Sequence, residues 1–350
     1  MLQPNEPTTS TRAAEPVQDR LYRAVMLPRI GGPEVLRVVD LPLSEPGPRQ
    51  LRIRIRAAGV GSTDLMMLAG TYKYAPPLPF VPGYEIAGVV DAVGAEVKNF
   101  RAGQRVAALT LNGGFAETMV RDAEHFIPIP DGVSDVQAAA AVLNYVTAWQ
   151  MIHRVAKVQP GQTALVTGAA GGVGTAALQL LRLVGVKAYG AASPAKHDVI
   201  RGFGATPIDY RQGRLDRLVR AHEPKGVDVV FDALGGSYVT PCIKALRVGG
   251  TLVGFGFMNA ASKSAVLASI ANVVLGARLR GRRGVFYGIT VLYRKDPKPL
   301  REDLPKIFAL IEDGRIDPLI DVVLPLSSAR EAMERLAAGT GAGKIVLKVS

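Results

Sequence analysis

The sequence predicts an α/β chain in two parts: a β-rich first part, followed by a doubly wound parallel sheet. Three observations carry this. Leu51–Ala58 alternates apolar and polar residues, the pattern of a strand with one buried face. From about Asp135 onward, short apolar strands alternate with helical segments, which implies parallel strands joined by right-handed crossovers. Finally, the apolar strand Thr163–Thr167 runs through a glycine-rich turn into an amphipathic helix.

The elements follow in order. Between Tyr22 and Phe126 the pattern is one of short strands and turns. Ile86–Val93 is an apolar run, and Gly31-Gly32, Pro46-Gly47, Pro82-Gly83 and Gly113-Gly114 punctuate the segment. Val136–Val155 reads as a helix opened by Ser134 or Asp135 as N-cap. Strands are then expected at Thr163–Thr167, Lys187–Ala191, Val227–Asp232 and Thr251–Phe255. Helices are expected at Gly174–Val184, Lys196–Phe203 and Val239–Leu246. Near the end come helices Leu300–Asp313 and Ser328–Ala338 and strands Val322–Leu324 and Lys344–Val349. The last strand is expected to return to the first sheet.

Composition narrows the class. With 48% apolar and 21% charged residues the chain has material for a core, which excludes a disordered protein. The single cysteine, Cys242, excludes a disulfide framework and a cysteine-rich metal site. The net charge is +12, but the basic residues are dispersed; the densest run is Arg278, Arg280, Arg282 and Arg283. That favours a solvated surface with an anion site over a nucleic-acid surface. No stretch of about 18 apolar residues occurs, so no membrane-spanning helix is expected. Residues 1–20 are polar and read as a disordered tail, and a cytoplasmic protein is the default expectation.

The most informative stretch is Thr167-Gly168-Ala169-Ala170-Gly171-Gly172-Val173-Gly174. Glycines let a backbone approach a pyrophosphate closely, and a helix N-terminus presents N–H groups and positive dipole to it. Ala170, Gly171, Gly172 and Val173 are the expected phosphate contacts, and Gly174 lets the helix pack on the strand. The following strand ends in Ala191-Ala192-Ser193-Pro194-Ala195-Lys196, with no acid to bind a ribose 2′-hydroxyl. Ser193 and Lys196 instead offer a donor and a cation to a 2′-phosphate, which favours NADPH over NADH.

These residues resemble the medium-chain dehydrogenase/reductase superfamily, in its zinc-free quinone oxidoreductase and enoyl reductase branch. The resemblance rests on Pro82-Gly83-Tyr84-Glu85-Ile86-Ala87-Gly88-Val89-Val90, the glycine-rich turn, Gly226-Val227-Asp228-Val229-Val230-Phe231-Asp232 and Gly343-Lys344-Ile345-Val346-Leu347. It implies a GroES-like catalytic domain (residues 21–144 and 297–350) beside a Rossmann dinucleotide-binding domain (residues 145–296), with the site in the cleft between them. Where zinc members of the superfamily carry a cysteine and a histidine, this chain has Gly61 and Tyr84. The stretch Val142-Leu143-Asn144-Tyr145 has no third ligand. No metal is expected. The resemblance also implies that Thr147, Gly254 and Phe255 face the nicotinamide, that Tyr210 lies near the 2′-phosphate end, and that the protein is a homodimer.

Without zinc to polarise an oxygen, the expected substrates are conjugated acceptors: quinones, or carbon–carbon double bonds beside a carbonyl. Tyr72 stands where resembling enoyl reductases place a tyrosine donor. Tyr84 fills the position of the missing zinc ligand, and Thr63 stands where zinc relatives use a hydroxyl relay. Quinone reductases of the branch often carry asparagine at Gly61 and tyrosine at Met66; both are absent here, which points away from a simple quinone. The reading is therefore an NADPH-dependent, zinc-free reductase of quinones or activated double bonds. Two readings stand beside it: a reductase of simple ketones or aldehydes, and an inactive NADPH-binding relative with a nucleic-acid-binding basic surface.

Overall fold

The computed structural model describes residues 20–258 and 263–349. The expected tail, residues 1–20, lies outside the described residues apart from Arg20. In chain order the elements are strands β1 (Leu21–Met26), β2 (Arg37–Pro42) and β3 (Gln50–Val60), helix α1 (Ser62–Leu68), and strands β4 (Glu85–Val93), β5 (Arg105–Leu109), β6 (Thr118–Asp122) and β7 (Ile127–Pro128). Helix α2 (Asp135–Trp149) leads to β8 (Thr163–Thr167), α3 (Gly172–Val184), β9 (Lys187–Ala192), α4 (His197–Gly202), β10 (Thr206–Asp209) and α5 (Leu215–His222). Then come β11 (Val227–Asp232), α6 (Val239–Ala245), β12 (Leu246–Gly254), α7 (Lys263–Ala271), β13 (Arg283–Phe286), α8 (Ile289–Lys295) and α9 (Lys298–Glu312). The chain closes with β14 (Ile320–Pro325), α10 (Ala329–Ala338) and β15 (Lys344–Lys348).

One sheet has the order β10-β9-β8-β11-β12-β13, and every neighbouring pair is parallel. The chain leaves β8 to one side through β9 and returns to its other side at β11, so the order reverses between them. Ligands bind open α/β sheets beyond the strand ends at such a switch point. A second sheet runs β14-β15-β3-β4-β5-β7, with β6 on β3, and β1 and β2 form a separate antiparallel pair. The expected return is present: β15 lies antiparallel to β3.

Helix α2 joins the two sheets. Ser134 caps it, with Gln137 completing the capping box. It packs on β3, β4, β5 and β15 on one side and on α3 and α9 on the other. Its residues Ala138–Ala148 are all buried, and the run of alanines lets neighbours approach from both sides. The expected helix to Val155 changes character at Gln150: the last turn, Gln150–Ala156, is a π-helix.

Two expectations need correction. Leu51–Ala58 is half-buried only in its middle: Arg54 is exposed and Arg56 partly so, but Arg52 is buried by ion pairs with Asp91 and Glu45, and Ala57 and Ala58 are both covered. The strand expected at Thr251–Phe255 begins at Leu246 and ends at Gly254, because its first part borders β11 at Val227. In the arginine run, Arg278, Arg280 and Arg283 are exposed, as a solvated surface requires. Arg280 donates to the Gly276 carbonyl, Arg282 to the Leu246 and Arg280 carbonyls, and Arg283 to the Val155 carbonyl.

Candidate active site

The glycine-rich turn sits at the switch point. Gly168 has φ of +61°, a left-handed conformation that favours glycine. Helix α3 starts at Gly172 with Gly171 as N-cap, and no side chain caps its first turn. Its first amides are therefore left for a ligand. A Cβ on Gly174 would overlap the Gly168 carbonyl oxygen and the Ala169 backbone, so the helix sits against the turn only with glycine there. The side chain of Asn144, buried on α2, lies against Gly172 in the space a Cβ would take.

On the adjoining strand, Asp232 is buried and accepts from the Thr167 hydroxyl at 2.7 Å and the Leu234 and Gly235 amides at 3.1 Å. This ties the ends of β8 and β11 together beside the turn. Thr147 is buried on α2, and its hydroxyl oxygen has no hydrogen-bond partner. Gly254 ends β12, and Phe255 donates its amide to the Asp232 carbonyl at 2.9 Å.

At the end of β9, Ser193 is half-buried. Lys196 donates to the carbonyls of Gly339 and Gly341, both at 2.6 Å, so it ties the segment before β15 to the parallel sheet. The same segment reaches the turn itself, where the Gly343 amide donates to the Ala170 carbonyl at 2.8 Å. Tyr210 packs edge-on against Tyr238, ring centroids 6.4 Å apart.

Three hydroxyls converge from distant parts of the chain. Tyr72 Oη lies 2.8 Å from Tyr84 Oη and 2.6 Å from Thr290 Oγ1, and Tyr84 and Thr290 also hydrogen-bond each other. Tyr72 is on the loop after α1, Tyr84 immediately precedes β4, and Thr290 is at the start of α8. Tyr84 is buried and Tyr72 only partly so, which makes Tyr72 the member open to a ligand. Burial pushes both phenols above their ordinary range. They are neutral donors at neutral pH. Thr63, by contrast, makes no side-chain hydrogen bond to this cluster and sits half-buried on α1.

Beneath the cluster is a buried charge pair. Lys344 on β15 pairs with Glu85 on β4, and the other Glu85 oxygen accepts from the Leu143 amide of α2 at 2.5 Å. A Cβ on Gly59 would strike both partners, so the glycine of β3 makes room for the pair. Asp64 is fully buried. It accepts from the Gly61 amide at 2.9 Å and the Gly83 amide at 3.1 Å, and burial pushes its carboxyl up to about 7. It thus holds the Tyr84 loop to the start of α1.

Known proteins resemble this chain. Residues 47–131 match the alcohol dehydrogenase GroES-like domain, and residues 203–347 match the zinc-binding dehydrogenase family. The human synaptic vesicle membrane protein VAT-1 homolog is 34% identical over 339 residues, covering 93% of this chain and 86% of that protein. The chain belongs to the medium-chain dehydrogenase/reductase superfamily. Another relative in this superfamily, the quinone oxidoreductase-like protein 2 homolog of Nematostella vectensis, is 32% identical over 95% of this chain and 90% of its own length. A quinone oxidoreductase structure from Pseudomonas syringae pv. Tomato DC3000 aligns with a TM-score of 0.83 at 30% identity, covering 93% of this chain and 99% of that one.

Superfamily members are oxidoreductases with a nicotinamide cofactor, and the residues here fit one. The glycine cradle, the uncapped α3 and the orphaned Thr147 hydroxyl are the features such a ligand would use. They do not fit zinc. Tyr84 is a neutral, hydrogen-bonded phenol rather than an imidazole, and Gly61 has no donor side chain. Among the described residues no group of three or more His, Cys, Asp or Glu side chains is placed to hold a metal.

Sequence reasoning reached Tyr72 and Tyr84 but missed Thr290. It quoted Glu85 and Lys344 within motifs without seeing that they pair. Asn144 was passed over, although its place beside the missing third zinc ligand was a signal that the position had another use.

Proposed function

We propose that this chain is an NADPH-dependent, zinc-free reductase of quinones or of carbon–carbon double bonds conjugated to a carbonyl. The observation that carries the reading is the Tyr72–Tyr84–Thr290 hydroxyl cluster. Three hydroxyls with three mutual contacts can each donate once and accept once, a closed ring of neutral donors. A carbonyl oxygen arriving at Tyr72 competes for one of those protons, and its partners reorient behind it.

In this reading, Ala170, Gly171, Gly172 and Val173 receive the pyrophosphate, Thr147, Gly254 and Phe255 the nicotinamide, and Ser193, Lys196 and Tyr210 the 2′-phosphate end. The bound nicotinamide supplies the hydride. Tyr72 donates to the substrate oxygen, which takes up negative charge as the β carbon is reduced. Tyr84 and Thr290 return a proton to Tyr72. Thr63 on α1 lines the approach without contributing a proton. Residues 21–144 and 297–350 act as the catalytic unit, residues 145–296 as the dinucleotide-binding unit, and the enzyme works in the cytoplasm. Among the described residues no helix is long and apolar enough to cross a membrane.

The reading includes a homodimer. β13 is an open edge of the parallel sheet, and Leu267, Leu275 and Leu279 are exposed on the segment leading to it, Leu279 to 84%. An open edge beside apolar surface is a template for pairing. Sedimentation at twice the chain mass, reduced by Leu279→Glu, is expected; a wild-type monomer at micromolar concentration would reject it.

The test of the activity is NADPH oxidation against a short quinone, an enone, an enoyl thioester and a plain ketone, repeated with NADH and with a chelator. Turnover of a conjugated acceptor with NADPH, indifferent to chelator, is expected. Turnover of the ketone alone, abolished by chelator, would overturn the reading.

A further inference from the structure

Beside the hydroxyl cluster stands a pair of cations with no anionic partner. Thr290 and Arg294 are one turn apart on α8 and so share a face. Thr290 meets Tyr72, and Arg294 lies over the ring of Tyr74, its guanidinium carbon 5.2 Å from the ring centroid. Lys73 Nζ lies 5.7 Å from the same centroid. The Tyr74 and Tyr72 rings are in turn in edge contact, centroids 5.8 Å apart. Both cations are exposed, and among the described residues neither forms a salt bridge. Lys344, close to the cluster, is by contrast engaged with Glu85.

We propose that Lys73 and Arg294 form an anion-recognition site at the mouth of the cleft, and that the substrate is a conjugated carbonyl compound carrying a carboxylate. The inference rests on the reductase reading and names its substrate class. Both cations lie over the Tyr74 ring, a contact that leaves their charge unneutralised. A carboxylate arriving there finds positive charge at the ring that adjoins Tyr72, the residue open to the reacting oxygen. The guanidinium can meet both carboxylate oxygens at once, and the ammonium adds a point charge. In the proposed reading the cofactor would not claim these residues. Its phosphates would be held at the N-terminus of α3 and the end of β9, on elements of the parallel sheet.

The probe is a medium-chain enone ending in a carboxylate, set against its methyl ester. The reporting quantity is the ratio of kcat/KM for acid over ester, so a general effect on Tyr72 cancels. The wild type is expected to prefer the acid about tenfold at low salt, with the preference shrinking as ionic strength rises. Arg294→Gln and Lys73→Gln are each expected to cut the ratio about threefold to fivefold, mainly through KM of the acid, and Arg294→Lys to restore part of it. A ratio near one in the wild type, with both compounds turned over, would overturn the anion site and leave the reductase standing. A ratio unchanged in both variants would also overturn it, leaving the cations as supports for Tyr74. If neither compound turns over, the reductase reading fails. The same ratio then comes from the two affinities by calorimetry, where equal binding of acid and ester rejects the anion site.

Discussion

Tyr84 and Thr290 share a hydrogen bond although 206 positions separate them in the chain. Tyr72 closes the ring at 2.8 and 2.6 Å. If Tyr72 is the donor to the substrate oxygen, Tyr72→Phe keeps the ring in edge contact with Tyr74 but removes the proton. The expected result is a fall in kcat of about a hundredfold with KM changed far less. Thr290→Val removes only the return path, and a fall of about tenfold is expected. Stopped-flow assays with NADPH and an enone measure both. Equal rates for Tyr72→Phe and wild type would reject the donor assignment.

The pH profile follows from the same burial. Desolvation raises the Tyr72 phenol, so the donor keeps its proton to higher pH than a free tyrosine. No loss of kcat from this group is expected between about pH 6 and 9. A basic limb that disappears in Tyr72→Phe and has its midpoint below pH 9 would show that the phenol is not held neutral.

The glycine turn offers a contrast within one sheet layer. At Gly174 a Cβ would meet backbone atoms that cannot yield without opening the turn. At Gly202, at the end of α4, a Cβ would meet nothing within 4 Å. Gly174→Ala is expected to cost about 2 kcal/mol or more in urea unfolding and to weaken NADPH binding. Gly202→Ala is expected to be neutral or to stabilise by about 0.5 kcal/mol. Equal effects at the two sites would mean that close packing does not set the turn.

Much of the fold was legible because its signals are local. The strand Thr163–Thr167 and the glycines after it announce a cofactor turn within a dozen residues, and α3 opens only two residues earlier than expected, at Gly172. The strands that escaped are short. β10 has four residues including Pro207, and β13 has four beginning at an arginine; each is defined by its parallel neighbour rather than by its own pattern. Thr290 escaped for a related reason. It is one small hydroxyl in a seven-residue helix, and only the meeting of α8 with the Tyr72 loop gives it a role. Glu85 and Lys344 sit in recognisable motifs, yet nothing local says that β4 and β15 bring them together across β3.

Asp64 links pH to stability. Its folded carboxyl sits at about 7, above the ordinary value of 3.8, with burial as the main cause. The folded state therefore binds this proton more tightly than the unfolded chain. The contribution is fully present below about pH 4 and is lost as pH rises through about 7. Asp64→Asn is expected to flatten that part of a melting-temperature profile. Asp64→Ala, which leaves the Gly61 and Gly83 amides without their acceptor, is expected to cost about 3 kcal/mol near pH 4 and less as the pH rises through about 7. A wild-type profile matching that of Asp64→Asn from pH 4 to 8 would reject the linkage.

Lys196 serves two purposes in the proposed reading, and they can be separated. Two of its three N–H donors are directed at the Gly339 and Gly341 carbonyls, which ties the β15 approach to the cofactor end of β9. The third, or a reorientation of the group, is what a 2′-phosphate would use. If the lysine only ties the segment, Lys196→Ala loosens the turn through Gly343 and Ala170 and weakens NADPH and NADH alike. If it also reads the phosphate, the loss falls on NADPH. A charge-assisted contact of this kind corresponds to about tenfold to a hundredfold in affinity, and Lys196→Arg should recover much of it. Fluorescence titration with the two nucleotides gives the ratio directly. Hydrogen exchange at residues 339–343 reports the tie. Faster exchange with an unchanged NADPH-to-NADH ratio would assign Lys196 to the tie alone and move phosphate selection to Ser193 and Tyr210.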